Sequence, residues 1–300
     1  MNNRFFTLVI LLLVILTSGI IGCGGKKNVS HLSPQELFTY AVDRYENGKY
    51  LRAIELFQTV IYNYAGENVV DSAQYYLAMS YYENGEHQLA TVEFNRLVVN
   101  YPSSVFFEEA VFMRAVAIFE GTPDNYALDQ SETIQAIKRF EDFIIDFPES
   151  KKVPEAQKFI LEGRTRLANK YYDAAVVYSR IGAYKASEKY CQFVIDDYTD
   201  TEYAALATFL SGEMEYKMKN YDRSREIYEN FIAVFAGHEK TLKAQERIIE
   251  SAFKAAKREF ENGNFEEAVN RFEIFKKDFP NNGKVKKADK FLEKIQKNKT

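Results

Sequence analysis

An eleven-residue pattern, Asn-Gly-x-ring-x-x-Ala-x-x-x-Phe, recurs along this chain and limits its fold more than any other feature. Its clear copies are Asn47-Gly48-Lys49-Tyr50 with Ala53 and Phe57, Asn84-Gly85-Glu86-His87 with Ala90 and Phe94, and Asn262-Gly263-Asn264-Phe265 with Ala268 and Phe272. Weaker copies start at Gly182 (Tyr184, Ser187, Cys191) and at Lys219 (Tyr221, Ser224, Tyr228), and Ala136 with Phe140 carries another. Gly48 and Gly85 are 37 positions apart, as are Tyr184 and Tyr221. Each position has a physical task. Ala lets two helices cross closely, Phe four residues on fills the next groove, and Gly or Asn makes the turn between helices. Pro102, Pro148 and Pro280 fall seventeen residues past the turn position, counted from Gly85, Ser131 and Gly263, where proline ends a second helix.

Helix starts agree. Ser33-Pro34-Gln35-Glu36 combines an N-cap Ser, a Pro at the first helical position and a Glu three residues on, a capping box. Each first helix carries a small residue near its packing point: Ala41, Ala78, Ala115, Ala175, Gly212 and Ala256. Breakers are few (14 Gly, 6 Pro), rings are many (21 Tyr, 24 Phe), and no β-branched strands lie between the helical segments. The period is close to the 34-residue tetratricopeptide repeat plus a few loop residues. The expected fold is all-α, an α-solenoid of about six tetratricopeptide-like helix pairs.

The N-terminus reads as an address. Arg4 precedes an apolar run from Phe5 to Leu16, too short for a membrane span of about 20 residues but right for a signal peptide. The run ends in Ile20-Ile21-Gly22-Cys23, which resembles the bacterial lipobox. That resemblance implies cleavage after residue 22, a lipid on Cys23 (acyl and palmitate-type chains) and, with Gly24 rather than Asp next, export to the periplasmic face of the outer membrane. Residues 23–33 form a polar tether, residues 34–150 the N-terminal repeats, 151–238 the middle repeats, and 239–300 an additional C-terminal repeat with a basic end.

A lipoprotein whose mature chain opens Ser33-Pro34-x-x-Leu37-Phe38 and continues in such repeats resembles the BamD family of the β-barrel assembly machinery. Tyr40-Ala41 to Tyr64, Ala78-Met-Ser-Tyr-Tyr82, Phe112-Met-Arg-Ala115, and Tyr171 to Tyr178 with Gly182-Ala183-Tyr184 carry the likeness, which spans about Ser33 to Phe235. It includes an insertion, Glu120 to Gln130, between the helices of the third pair. The resemblance implies a non-enzymatic subunit that binds unfolded outer-membrane proteins and a BamA-like barrel-inserting subunit. Two features depart from the family: a further helix pair near Lys240 to Lys297, and Lys189-Tyr190 where the family often has an Arg facing the barrel subunit. The alternative is a generic periplasmic scaffold lipoprotein acting in envelope or division processes.

Counting helix positions from the Gly frame, the concave face of the first three repeats would present Phe38, Val42, Tyr45, Tyr75, Met79, Tyr82, Phe112, Val116 and Phe119. An apolar stripe of that size suits an aromatic-ended peptide; the same rings could equally be buried between repeats. The insertion likewise has two readings, a partner contact or a tolerated surface excursion.

The last stretch is basic, with nine Lys between residues 276 and 299 against Asp278, Asp289 and Glu293. Such an end complements its own helix dipole and caps a solenoid, or docks an acidic domain or anionic lipid. The chain's net charge of −4 supplies no overall drive toward nucleic acid. No cofactor or metal is expected. His31, His87 and His238 have no second ligand at helical spacing, and Cys191 occupies a packing position. Glu250-Ser251, the start of a lytic transglycosylase signature, lacks the Gly-rich stretch that should follow.

Overall fold

The computed structural model describes residues 29–297. The expected signal peptide, Cys23 and the first half of the expected tether therefore lie outside the described residues. The described residues form thirteen helices and no strand: α1 Pro34–Glu46, α2 Tyr50–Asn63, α3 Val70–Glu83, α4 His87–Asn100, α5 Phe107–Glu120, α6 Ser131–Asp146, α7 Val153–Arg180, α8 Tyr184–Asp197, α9 Glu202–Lys217, α10 Tyr221–Val234, α11 Thr241–Glu261, α12 Phe265–Asp278 and α13 Val285–Lys297. They form six consecutive pairs and a final single helix. Two compact units divide the chain, Met1–Phe107 and Glu108–Thr300. The limits drawn from sequence at 150 and 238 both fall inside the second unit.

The repeat signature maps onto packing as its chemistry requires. Ala53, Ala90, Ala136, Ser187, Ser224 and Ala268 are fully buried, as are Phe57, Phe94, Phe140, Cys191, Tyr228 and Phe272 four residues on. Where Ser replaces Ala, its hydroxyl must find an acceptor. Ser187 donates to the Ala175 carbonyl (2.8 Å) and Ser224 to that of Gly212 (2.9 Å), bonding each second helix to the first at their crossing. Gly212 also makes room for Tyr228: a Cβ there would sit 2.8 Å from the ring.

Within five of the pairs the chain turns through one left-handed residue. Gly48, Gly85, Gly182 and Gly263 have φ between 68° and 80°, and Lys219 holds the same place at 65°. The next N–H in each case donates to a carbonyl five residues back, as from Lys49 to Arg44 and from Asn220 to Glu215. The third pair breaks this rule with its insertion. At the start of α1 the capping box is formed, Glu36 N–H donating to Ser33 Oγ and Ser33 N–H to Glu36 Oε2 (2.9 Å).

Helix α7 has 28 residues, about twice its neighbours. Its first half packs on the third pair: the Phe159 ring stacks on Phe140 at 4.9 Å, and a Cβ on Gly163 would meet Ile137 at 2.9 Å. Its second half, with Ala168 and Ala175, packs with Cys191 and Val194 of α8 and Ala207 of α9. No helix among the described residues is long and apolar enough to cross a membrane.

Candidate functional site

In the first unit the expected groove residues of α1 and α3 stand at the rim of a ring cluster. Phe38, Val42 and Tyr45 are half-buried against the core built on Leu37, Ala41 and Phe57. Tyr75, Met79 and Tyr82 are half-buried on α3. The hub is Tyr76, which the helix-position argument passes over. Its ring lies 5.9 Å from Phe38, 5.5 Å from Tyr45 and 5.8 Å from Phe57. Tyr75 stacks on Phe106 at 4.3 Å, and Tyr82 meets His87 edge-on at 5.3 Å. Burial, reinforced by the Glu83 carboxylate, pushes the Tyr45 hydroxyl up to about 12, so it stays a neutral donor. The adjacent Tyr-Tyr and Phe-Phe dipeptides were the available signal for Tyr76 and Phe106, since adjacent helical residues point to different faces.

The third pair corrects the expectation of a groove across three repeats. Phe112, Val116 and Phe119 are 2%, 5% and 1% exposed and belong to the core. Phe112 packs against Phe140, Phe143 and Phe159, and Phe119 against Phe159, with Lys152 and Arg166 lying over their rings. The cover is the first half of α7, whose Phe159 ring packs against both Phe112 and Phe119 of α5.

The insertion between α5 and α6 is strapped to α7. Arg166 Nη1 donates to Thr122 Oγ1 (3.1 Å), Lys170 Nζ to the Leu128 carbonyl (2.7 Å), and Tyr126 Oη to Asp173 Oδ2 (2.6 Å). Residues 166, 170 and 173 share one helix face. Thr122 and Gln130 are buried at the ends of the insertion while Leu128 is exposed between them.

A second aromatic surface runs along α7 and α8. Tyr178 stacks on Tyr190 at 5.3 Å, Tyr190 lies 6.3 Å from Phe193, and Tyr171 joins Phe193 and Tyr198 at 5.9 Å each. Phe193 is 42% exposed, and Val177 and Ile181 are more so. Lys189, the departure noted in the sequence, is exposed and holds its Nζ 6.0 Å over the Phe193 ring.

Cys191, Glu250 and Ser251 are taken up in packing and pairing. Burial pushes the Cys191 thiol up to about 12, leaving no thiolate at neutral pH. Glu250 and Ser251 sit in mid-α11, where Glu250 pairs with Lys284 (2.6 Å) and accepts from Tyr216 Oη (3.3 Å), and Ser251 is buried with its Oγ 3.3 Å from Ser224 Oγ. Charge instead ties the later helices together. Arg247 of α11 grips Glu213 of α9 with two bonds (2.7 and 2.9 Å), Arg271 of α12 reaches Asp222 of α10 (2.6 Å), and Arg164 of α7 grips Asp200 (2.8 Å).

Repeated helix pairs with buried Ala and Phe at the crossing, turned through a left-handed residue, define a tetratricopeptide-repeat protein. Among solved structures the chain is similar to a tetratricopeptide repeat protein from Parabacteroides merdae (15% identity, 86% of this chain and 98% of that one, TM-score 0.32) and one from Bacteroides fragilis (12%, 87% and 98%, TM-score 0.36). It is also similar to the TPR2AB-domain:pHSP90 complex of yeast Sti1 (11%, 88% and 98%, TM-score 0.40). No curated protein matches it. The model of the YfiO family, described as outer membrane lipoprotein, matches residues 30–226, and the chain belongs to that family. Helices α11, α12 and α13 lie beyond the matched residues.

Proposed function

We propose that this chain is a non-catalytic lipoprotein subunit of a β-barrel assembly complex, anchored through a lipid on Cys23 at the periplasmic face of the outer membrane. In this reading it holds unfolded outer-membrane proteins by their aromatic C-terminal strands and docks on a BamA-like barrel-inserting subunit. The observation that carries the reading is family membership: the matched residues, 30–226, contain both aromatic surfaces. The rim of Phe38, Tyr45, Tyr75 and Tyr82 offers half-buried rings to an extended peptide with aromatic side chains on alternate residues. The ladder from Tyr171 to Phe193 lies on the repeat where the family resemblance puts the barrel-subunit contact, with Lys189 in place of Arg.

Depleting the protein should lower porin levels in the outer membrane and raise the envelope stress response, and normal porin assembly would favour a scaffold role elsewhere in the envelope. Tyr82→Ala should leave the melting temperature nearly unchanged while weakening capture of a C-terminal porin peptide, at a cost of about 2 kcal/mol for a hot-spot ring. Wild-type peptide capture by that variant would remove the groove from the reading. Cys23→Ser should abolish membrane flotation of the mature chain, and retained flotation would remove the anchor.

A further inference from the structure

The basic C-terminus is concave. Between α11 and α13 lies a cleft of about 380 Å³ whose walls carry Lys254, Lys257, Lys284, Lys287, Lys290 and Lys294. Its floor is apolar: Phe253 and Phe291, with Lys284 Nζ 5.8 Å over the first ring and Lys294 Nζ 5.7 Å over the second. Glu250 is the one carboxylate on its lining, and it is already held by Lys284 and Tyr216. Lys254, Lys287, Lys290 and Lys294 have no ion pair among the described residues.

The helix dipole accounts for only part of this charge. Lys294 and Lys297 occupy the last turn of α13, where cations are stabilising. Lys284, Lys286 and Lys287 stand at the opposite end, against the positive pole, and the first turn of α13 contains no acidic residue. Glu250 compensates Lys284 alone; Lys286 and Lys287 repel both the dipole and each other, an arrangement that an incoming anion relieves.

We propose that this cleft is a docking site for an acidic peptide segment of a partner protein, one carrying two or more carboxylates beside an apolar side chain. Three features select that chemistry. Charge complementarity calls for an anion with several charges. The Phe253 and Phe291 floor rewards an apolar group between those charges, which a phosphate headgroup lacks. A recess between two helices admits an extended chain, whereas a bilayer surface reaches only the exposed ammonium groups around it. Because α11–α13 fall outside the family match, the site is a property of this chain rather than of the common repeats.

The test uses the full lipidated chain in non-ionic detergent and a fluorescein-labelled Asp-Glu-Leu-Asp-Glu-Phe peptide followed by anisotropy. Binding should weaken at higher salt, and the Asn-Gln-Leu-Asn-Gln-Phe analogue should not bind. The triple variant Lys254→Gln, Lys287→Gln, Lys290→Gln should lose at least about tenfold in affinity with an unchanged thermal melt. The control Lys138→Gln, Lys158→Gln, Lys185→Gln on other repeats should bind as the parent does. Equal loss in both triples, retained affinity in the cleft triple, or equal binding of the neutral analogue would overturn the proposal. So would a cleft triple that keeps the peptide but loses phosphatidylglycerol vesicles in flotation, which would make the surface a lipid contact.

Discussion

The first two helix pairs and the fifth and sixth pairs share one backbone signature but are held together by different forces. In α1–α4 the second layer of contacts is aromatic: Tyr76 gathers Phe38, Tyr45 and Phe57, and Tyr75 stacks on Phe106. In α9–α12 it is ionic, with Arg247 on Glu213, Arg258 and Arg271 on Asp222, and Arg225 reaching Asp278. The signature thus sets how two helices of a pair cross, while residues outside it choose the glue between pairs and what the exposed remainder can bind. Rings left half-buried suit an apolar peptide, and cations left over suit an acidic one.

The sharpest break between the regions comes from their cores. Phe57→Ala removes a fully buried ring at the aromatic hub and should cost about 3–5 kcal/mol, read as a large fall in melting temperature that salt does not restore. In the fifth pair the equivalent vulnerability is overpacking. Gly212→Ala would place a Cβ 2.8 Å from the Tyr228 ring and should cost about 1–3 kcal/mol. The double variant with Tyr228→Leu, which removes the far ring atoms, should recover part of that loss. Failure to recover would mean that α9 cannot accept a side chain there for backbone reasons.

How much of this was legible beforehand depends on the reach of the signature. The Ala and Phe positions, the turn glycines, the capping box and the six pairs follow from local spacing, so they could be read residue by residue. Phe112, Val116 and Phe119 could not be placed correctly, because the burial of this face depends on Phe159 of α7 packing over α5, a contact distant in sequence. Tyr76 was missed because positions counted on one helix face omit the ring on the next. The insertion's anchorage was latent in Arg166, Lys170 and Asp173, whose spacing marks one helix face but names no partner.

The ionic glue predicts a smaller effect of a different kind. Arg247→Gln leaves Glu213, 14% exposed in its side chain, without its two charged donors and should cost about 1–3 kcal/mol. Acid acts on the same layer. Hydrogen bonds from Arg164 outweigh burial and hold Asp200 below its ordinary 3.8. Burial alone would raise Glu250, but Lys284 and Tyr216 hold it below its ordinary 4.5. A carboxylate depressed on folding stabilises the native state above its unfolded value, and that stability fades as pH falls through the folded value. Hydrogen exchange below about pH 4 should therefore rise first in α7–α13, with α1–α4 following later. Simultaneous loss in both regions would erase the distinction between ring and ion glue.

The smallest expected effect isolates the turn that both regions share. Gly48 and Lys219 occupy equivalent left-handed positions, with φ of 68° and 65°. For a residue with a Cβ that conformation costs about 1–2 kcal/mol, while glycine gives back about 0.5–1 kcal/mol through the greater freedom of its unfolded chain. Lys219→Gly should therefore stabilise the fifth pair by a few tenths of a kcal/mol to about 1 kcal/mol, and Gly48→Lys should destabilise the first by a similar amount. The bond that Arg258 Nη1 donates to the Lys219 carbonyl (2.7 Å) is a backbone contact and survives the change. Thermal melts of the two reciprocal variants test this together. If Lys219→Gly lowers the melting temperature, the exposed Lys219 side chain contributes more to the ionic region than its turn geometry costs, and the equivalence of the two turns fails.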